Sequence, residues 1–573
     1  MTLKKNIFLS FLKLFNTLET SEKMKIYFSI FFMVIASFLE VLSIGALIPF
    51  VTAIISPEKL FEIEFLRDNI NKNILFKYNL QLMFTILFII SIILANLIRI
   101  YVLYLVSKIS KTIPTQIATN IYKSIIMSDY ISFKKKNSAD IVSLVTDKME
   151  SISGVFYNFL NAFSSIIISS AIIILLFLIN FKITIFCIVI ATFIYFVIGY
   201  FLKKSLKKSG KLLSTFSVSR IKKVRETFGS FKIISLQNLQ QLFVDEYNKY
   251  ENNYRMNQLK LQMASLVPRY FVETMGIVII ALMIYFLYAY TGYESVYIIT
   301  LVGALAYAAQ RLLPLFNNVY VCISSLFGFS AIIDETVAVL NQAKKDNKKV
   351  IYNSDSKINF KNNIEFKNVS FKYNQSQNKI INNLNINIIK GSKVAITGKT
   401  GVGKSTLLDI LIGLLKPTEG IIEIDKSKLS EINLIEWQNN ISHVPQDIFL
   451  FDTSIKENIA FNNKNLSESD HENIIESCKT AAIHDFINSL PNKYDTVVGE
   501  NGMFLSGGQK QRIGIARALY DEKEVLTLDE ATSALDVNTE KNILNNIIDK
   551  KITVIQITHR VDSLDNYDQI IKL

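Results

Sequence analysis

The sequence predicts two fold classes in series: a six-helix transmembrane bundle, then an α/β domain that holds nucleotide on a phosphate loop. Three observations carry this. Long apolar runs crowd the chain before residue 330, and from Ile364 onward short β-branched strands alternate with helical segments. A G-x-x-x-x-G-K-[ST] run, Gly398 to Ser405, lies between Val394-Ala395-Ile396 and Leu407-Leu408-Asp409-Ile410-Leu411, which reads as strand, loop, helix. Half of the 573 residues are apolar and mean hydropathy is +0.30, whereas soluble globular chains seldom sustain such apolar runs.

In the first half, runs near 26–55, 80–107, 154–180, 182–202, 266–290 and 295–327 each reach the roughly 20 apolar residues a spanning helix needs. The connections after the second and fourth runs are long and rich in lysine, as in Lys203, Lys204, Lys207, Lys208 and Lys211, and the others lack a basic excess. Positive charge stays on the cytoplasmic side, so both termini and the long connections are expected there. The net charge of +13 then reports orientation. No basic patch carries interleaved base-stacking aromatics, which excludes nucleic acid as a partner.

The connections 108–153 and 203–265 keep helical periodicity and read as membrane helices continuing beyond the lipid. The first apolar run is too long for the core of a signal peptide and is expected to remain as an anchor. Between Pro57 and Asn73, apolar Leu60, Phe61, Ile63, Phe65, Leu66 and Ile70 alternate with charged residues. This predicts a short amphipathic helix, on the outer membrane surface or packed against the bundle. Cys187, Cys322 and Cys478 are scattered, which supports neither a disulfide framework nor a zinc site.

A Lys-, Asn-, Asp- and Ser-rich stretch from Ala343 to Asn363 has linker composition. The expected division is a membrane domain over 1–337, a linker over 338–362 and a nucleotide-binding domain over 363–573.

In that last domain, Gly398, Gly401 and Gly403 let the backbone wrap an anion at a helix N-terminus. Lys404 reaches the β- and γ-phosphates of ATP, Ser405 ligates Mg²⁺, and Thr406 follows in the same turn. Asp529 ends the apolar strand Val525-Leu526-Thr527-Leu528, where a carboxylate can hold Mg²⁺, and Glu530 beside it can polarise the attacking water. His559 follows the strand Val554-Ile555-Gln556-Ile557 and is expected at the same sheet edge, near the γ-phosphate. Ser506, Gly507 and Gly508 open a helix, a second anion-binding helix start.

The order is phosphate loop, Val444-Pro445-Gln446-Asp447, Leu505-Ser506-Gly507-Gly508-Gln509, Asp529-Glu530, Ser533-Ala534-Leu535-Asp536 and Thr558-His559-Arg560. This ordered set resembles the ATP-binding cassette (ABC) family, exporter type. The resemblance implies that Gln446 ligates Mg²⁺ or water and senses the γ-phosphate, and that Tyr373 stacks on adenine. It further implies that Ser506, Gly507, Gly508 and Gln509, with Asp536, close over ATP held by an opposing subunit. With one phosphate loop and one signature per chain, a homodimer with two working ATP sites is expected. Two departures stand out: Thr527 occupies a position usually aliphatic, and Ile570-Ile571-Lys572-Leu573 ends the sequence where a hairpin and helix commonly follow.

Arg99, Arg269 and Arg311 fall inside or at the start of apolar runs, where a cation needs a partner or a cavity. They suggest a path for an anionic group; pairing of Arg269 with Glu273, and snorkelling from a helix end, are the competing explanations. With Val267-Pro268-Arg269-Tyr270 and Arg311-Leu312-Leu313-Pro314, the membrane half is similar to bacterial lipid-linked oligosaccharide flippases. That resemblance implies an ATP-driven translocase of the bacterial inner membrane, its arginines receiving the pyrophosphate of a polyprenyl-linked sugar donor. Exporters of peptides, drugs or other lipids, and ATP-gated channels or regulators, are the alternatives.

Overall fold

The computed structural model describes residues 7–55, 80–179, 181–290, 295–346, 358–373, 378–430, 434–461, 466–548, 551–560, 564 and 567–573. The amphipathic stretch expected over 57–73 lies outside these residues, as do residues 347–357 of the expected linker. The chain forms two compact units, Met1–Ser128 with Ser132–Val350, and Asp129–Ile131 with Ile351–Leu573.

The first unit is helical: α1 (Ile7–Asn16), α2 (Thr20–Ile55), α3 (Leu80–Ile126), α4 (Asp147–Ile179), α5 (Phe181–Gly229), α6 (Gln240–Tyr290), α7 (Ser295–Gly328) and α8 (Ser330–Asp346). The 47 residues of α3 span roughly 70 Å at ~1.5 Å per residue, more than twice the hydrocarbon thickness of ~30 Å. The periodicity of the long connections is thus realised as helix running on past the lipid. Ile109, Ile113, Ile117, Ile121 and Ile125 recur every four residues along α3 and are all buried, against Phe11 and Leu14 of α1 and Met149, Ile152 and Phe156 of α4 among others. A stripe at this spacing faces one side of a helix and seats it.

Six long helices occupy the positions of the six apolar runs. Among the described residues four helical stretches are long and apolar enough to cross a bilayer: Thr20–Ile54, Gln81–Ile126, Ser138–Leu178 and Gln240–Leu282. Gln310–Gly328 with Ser330–Gln342, bent by 62°, makes a fifth if the pair is one span. Within the fourth and sixth expected spans the backbone is described as helix, and some side chains are not described. Helix α2 packs on α3, α4 on α7, and α6 on both α5 and α7.

The second unit has two sheets. Strands β1 (Asn363–Phe371), β2 (Ile381–Ile389), β4 (Glu419–Ile424) and β5 (Ser427–Lys428) form an antiparallel sheet in the order β2-β1-β4-β5. Strands β3 (Lys393–Thr397), β6 (Ile441–Val444), β7 (Val525–Asp529), β8 (Thr553–Ile557) and β9 (Gln569–Lys572) form a parallel sheet in the order β6-β7-β8-β3-β9. Every residue of β8, and all of β7 except Asp529, is buried, as a parallel sheet covered on both faces requires. Helix α9 (Lys404–Leu411) packs its Leu407, Leu408, Ile410 and Leu411 into the core that also holds Phe366, Val394 and Trp437. The Trp437 indole is fully buried and donates to Leu411 O at 2.8 Å. Helices α10 (Gly507–Tyr520) and α11 (Val537–Ile548) contribute to a second core.

Candidate functional site

Register places the chemistry. Ile396 of β3 pairs with Ile557 of β8, Asp529 of β7 with the same Ile557, and Val444 of β6 with Leu528 of β7. Four parallel strands therefore end at one level. The segments leaving them carry the phosphate loop, Glu530, His559 and Gln446, at the carboxyl edge where α/β sheets bind ligands.

At the phosphate loop, Gly403 is the N-cap of α9 with φ 109°, and a Cβ there would come within 2.5 Å of Ile380 Cγ2. Both the dihedral and the space require glycine. The buried Lys404 donates Nζ to Gly398 O at 2.9 Å and Lys399 O at 3.4 Å, curling the ammonium back over the loop. Ser405 Oγ donates to Asp529 Oδ1 at 3.2 Å. Burial pushes the Asp529 carboxyl above the usual carboxylate range; the Ser405 hydrogen bond opposes this, Glu530 adds to it, and Lys404 opposes it. One hydroxyl and one carboxylate with a nearby amide suit Mg²⁺, which keeps phosphate and water oxygens among its ligands and needs no all-protein cage. Accordingly, no group of three or more His, Cys, Asp or Glu side chains able to hold a metal occurs among the described residues.

Glu530 has φ 50°, a left-handed conformation costly for a non-glycine residue and of a kind that clusters at functional sites. Its carboxylate is held from two sides. Gln446 Nε2 donates to Oε2 at 2.9 Å, and His559 Nε2 lies 2.9 Å from Oε1. The same His559 Nε2 is 3.0 Å from Lys404 Nζ. One ring nitrogen serves one of these contacts at a time: protonated, Nε2 donates to Glu530; unprotonated, it accepts from Lys404, which also has two carbonyl acceptors. Gln446, Glu530, His559 and Lys404 thus form one connected group, and Ser405 with Asp529 forms a second.

Tyr373, just past β1, places its hydroxyl 3.4 Å from Thr406 Oγ1 and its ring edge-on to Phe371. It stands beside the phosphate loop.

The signature forms the start of α10. Ser506 Oγ accepts from Gln509 N at 3.3 Å and Gln509 Oε1 accepts from Ser506 N at 2.8 Å, a reciprocal capping box. A Cβ on Gly508 would lie 3.1 Å from Ala534 O. Gln511 donates to Ser533 Oγ at 3.1 Å and accepts from Ala534 N at 2.9 Å. The signature is therefore tied to Ser533–Asp536. Asp536 accepts from Thr539 N at 2.9 Å and Thr539 Oγ1 at 2.7 Å, bonds that hold its carboxyl below the usual range.

Three features escaped the sequence reading. First, Glu540 is 1% exposed and accepts from Thr532 Oγ1 at 2.7 Å, Gln556 Nε2 at 2.9 Å and Arg560 Nη1 at 2.8 Å. Arg560 also donates to Ser533 O at 3.0 Å and Leu535 O at 2.6 Å. This network joins the segment bearing His559 to the one bearing Asp536. Second, the unusual Thr527 has a partner on the neighbouring strand. Its Oγ1 donates to Ser442 O at 3.2 Å and lies 2.9 Å from His443 Nδ1. Burial lowers the His443 pKa, so the neutral ring, donating Nδ1–H to Thr527, is the favoured form.

Third, in the membrane unit a buried carboxylate collects two of the three arginines. Glu40 on α2 is 3% exposed, and its Oε1 lies 3.2 Å from Arg311 Nε and 3.9 Å from Arg99 Nη1. Arg311 also donates to Tyr307 Oη at 3.2 Å. Arg269 shares none of these partners. It is exposed and donates Nε to Glu273 Oε1 at 2.6 Å, the pairing weighed against a substrate role. Glu40 is a lone acid in an apolar run, and only helix packing shows what it faces.

Comparison with known proteins supports both halves. The ABC transporter profile matches residues 381–533, and the ABC transporter transmembrane region profile matches residues 23–315. The chain is 30% identical over 485 residues to an export ATP-binding/permease protein of Rickettsia typhi, covering 82% of this chain and 81% of that one. It is 37% identical over 210 residues to the ATP-dependent lipid A-core flippase of Chromohalobacter salexigens, a match spanning 36% of each. The solved structure of a bacterial Atm1-family ABC exporter with ATP bound superposes with a TM-score of 0.72 over 96% of this chain and 93% of that one, at 21% identity.

Proposed function

This chain belongs to the ABC transporter family as an exporter half-transporter, and we propose that two copies of it flip a polyprenyl-pyrophosphate-linked oligosaccharide across the bacterial inner membrane. ATP hydrolysis coupled to export is the family's activity. In this reading residues 1–337 form the membrane domain, 338–362 the linker and 363–573 the cassette, on the cytoplasmic side.

The observation that carries the substrate reading is the convergence of Arg311 and Arg99 on Glu40 inside the helical unit. Cations at membrane depth are costly and mark ligand paths. A pyrophosphate, with more than one negative charge, suits two guanidinium groups, and Arg forks match phosphate oxygens. Similarity to a lipid A-core flippase over 210 residues is compatible with an amphiphilic cargo. Arg269, committed to Glu273, serves at most the entry to the path.

In the cassette, Lys404 gives up its carbonyl contacts to bind the β- and γ-phosphates, and Tyr373 stacks on adenine. Ser405, Asp529 and Gln446 would hold Mg²⁺, which supplies charge neutralisation at the phosphates. Glu530, aimed by Gln446 and His559, accepts a proton from the attacking water, and His559 then contacts the γ-phosphate. Ser506, Gly507, Gly508 and Gln509, with Asp536, close on the triphosphate held by the other copy.

The test is translocation of a fluorescent lipid-linked oligosaccharide in proteoliposomes. Wild type should move it only with ATP, and Arg99→Ala with Arg311→Ala should stop movement while hydrolysis persists. ATP hydrolysis without any movement by wild type would redirect the substrate to peptides, drugs or other lipids. A steady ATP-gated ion current through planar bilayers would identify a channel instead.

A further inference from the structure

The helical unit holds a cavity whose amide side chains none of these roles uses. It has a volume of about 400 Å³ and lies among α2, α3, α4 and α7. Its polar lining includes Asn96, Arg99, Asn158, Asn161, Ser164 and Asn318. Clefts of roughly 300–1,000 Å³ are the usual size for small ligands. Four side-chain amides in one chamber of a membrane bundle are unusual, because uncompensated amides are expensive away from water.

The internal hydrogen bonds leave much of this capacity open. Asn158 Nδ2 donates to Ser325 Oγ at 2.6 Å, Asn318 Nδ2 to Ser165 Oγ at 3.0 Å, and Asn96 Nδ2 to Ile92 O at 2.9 Å. Each of these uses one N–H of the amide and leaves its second N–H and its carbonyl oxygen. Asn161 has no hydrogen-bond partner among the described residues, although it is half-buried. The chamber therefore presents amide oxygens and remaining amide N–H groups, one complete free amide, and a guanidinium, with no carboxylate among the described residues of its lining.

This inventory selects a ligand. An apolar chain would strand the amides, and a compact polyanion, which only accepts, would leave the amide oxygens unpaired. A sugar offers hydroxyls that both donate and accept, which is what amides pair with. Arg99 sits in the lining and also faces Glu40, so the chamber adjoins the arginine site. We infer that this cavity is a carbohydrate subsite, which receives the sugar nearest the pyrophosphate while Arg99 reaches the phosphate side. The inference rests on the lipid-linked oligosaccharide reading and adds to it that the protein reads the glycan through Asn161 and its neighbouring amides.

The discriminating variant is Asn161→Leu, because it breaks no hydrogen bond to a described residue. In proteoliposomes with the full chain, two quantities are measured: the KM for a lipid-linked oligosaccharide, and the Ki of sugar-free polyprenyl pyrophosphate as its competitor. Asn161→Leu should raise the KM at least about fivefold, the worth of roughly one hydrogen bond, with the Ki unchanged. Asn161→Gln should recover part of the loss. A KM and Ki that rise together, or a KM that does not move, overturn the carbohydrate subsite and leave the flippase reading standing. Failure of wild type to translocate the oligosaccharide at all, with hydrolysis intact, overturns that reading and the subsite with it.

Discussion

The hydroxyl of Tyr320 on α7 donates to the carbonyl of Ala264 on α6 at 3.1 Å. Ala264 precedes Pro268 by four residues, so this is the carbonyl that proline, lacking an N–H, leaves without its helical donor. Tyr320 is buried, and water is scarce at such a position. Tyr320→Phe keeps the ring and removes only the donor. It should cost about 1–3 kcal/mol, the penalty for a buried acceptor left unsatisfied, read as a lower Tm of the detergent-solubilised protein. An unchanged Tm would mean that another donor reaches Ala264.

Glu530→Gln should separate ATP binding from hydrolysis. The substitution preserves size and one of the two acceptor oxygens that face Gln446 and His559 but removes the base. ATPase turnover should fall at least about 100-fold, within the usual worth of a general base, while nucleotide binding measured by equilibrium dialysis persists. Near-normal turnover would remove Glu530 from its assigned role.

The His443–Thr527 pair predicts an acid-sensitive cassette. The folded-state pKa of His443 is depressed from the ordinary 6.5 by burial. Stability from the neutral ring is full above the unfolded value and is lost as pH falls from there through the depressed one. The denaturation midpoint should therefore drop between pH 7.5 and pH 5.5, and His443→Gln should flatten that limb. Thr527→Val, which leaves the ring without its acceptor, should cost about 1–3 kcal/mol at neutral pH. Identical acid limbs for wild type and His443→Gln would assign the sensitivity elsewhere.

Glu540 is the hub behind the catalytic edge. Glu540→Ala removes the carboxylate shared by Arg560, Thr532 and Gln556. Arg560 is partly exposed, so the cost should sit near the lower end for a broken buried pair, about 3 kcal/mol. Chemical denaturation of the full chain measures this. ATPase activity should fall as well, since the network fixes the segment that carries His559. A stable, fully active Glu540→Ala would show the network to be dispensable.

The cassette was legible because its residues follow strand ends in a fixed order, and a parallel sheet delivers strand ends to one edge whatever the loops between them do. Arg269 with Glu273 was legible for a similar reason, being four residues apart on one helix. Glu40 was not. Its neighbours Arg99 and Arg311 come from two other helices, and only their rotation and relative height decide whether a lone acid meets them or faces lipid. The same holds for the four asparagines of the cavity, which look like scattered polar residues until helix packing gathers them. Thr527 shows an intermediate case: its oddity was visible on the strand, but its cause lay on β6, which pairing alone brings alongside.

A carboxylate lodged between two guanidinium groups makes their neighbourhood an exchanger. For any anion that arrives there, Glu40 is a rival already in place. A monoanion that displaces it merely swaps one unit of charge for another, whereas a diphosphate brings more charge than it dislodges. In the flippase reading proposed above, valence, rather than simple negativity, is then the quantity by which the membrane half would sort.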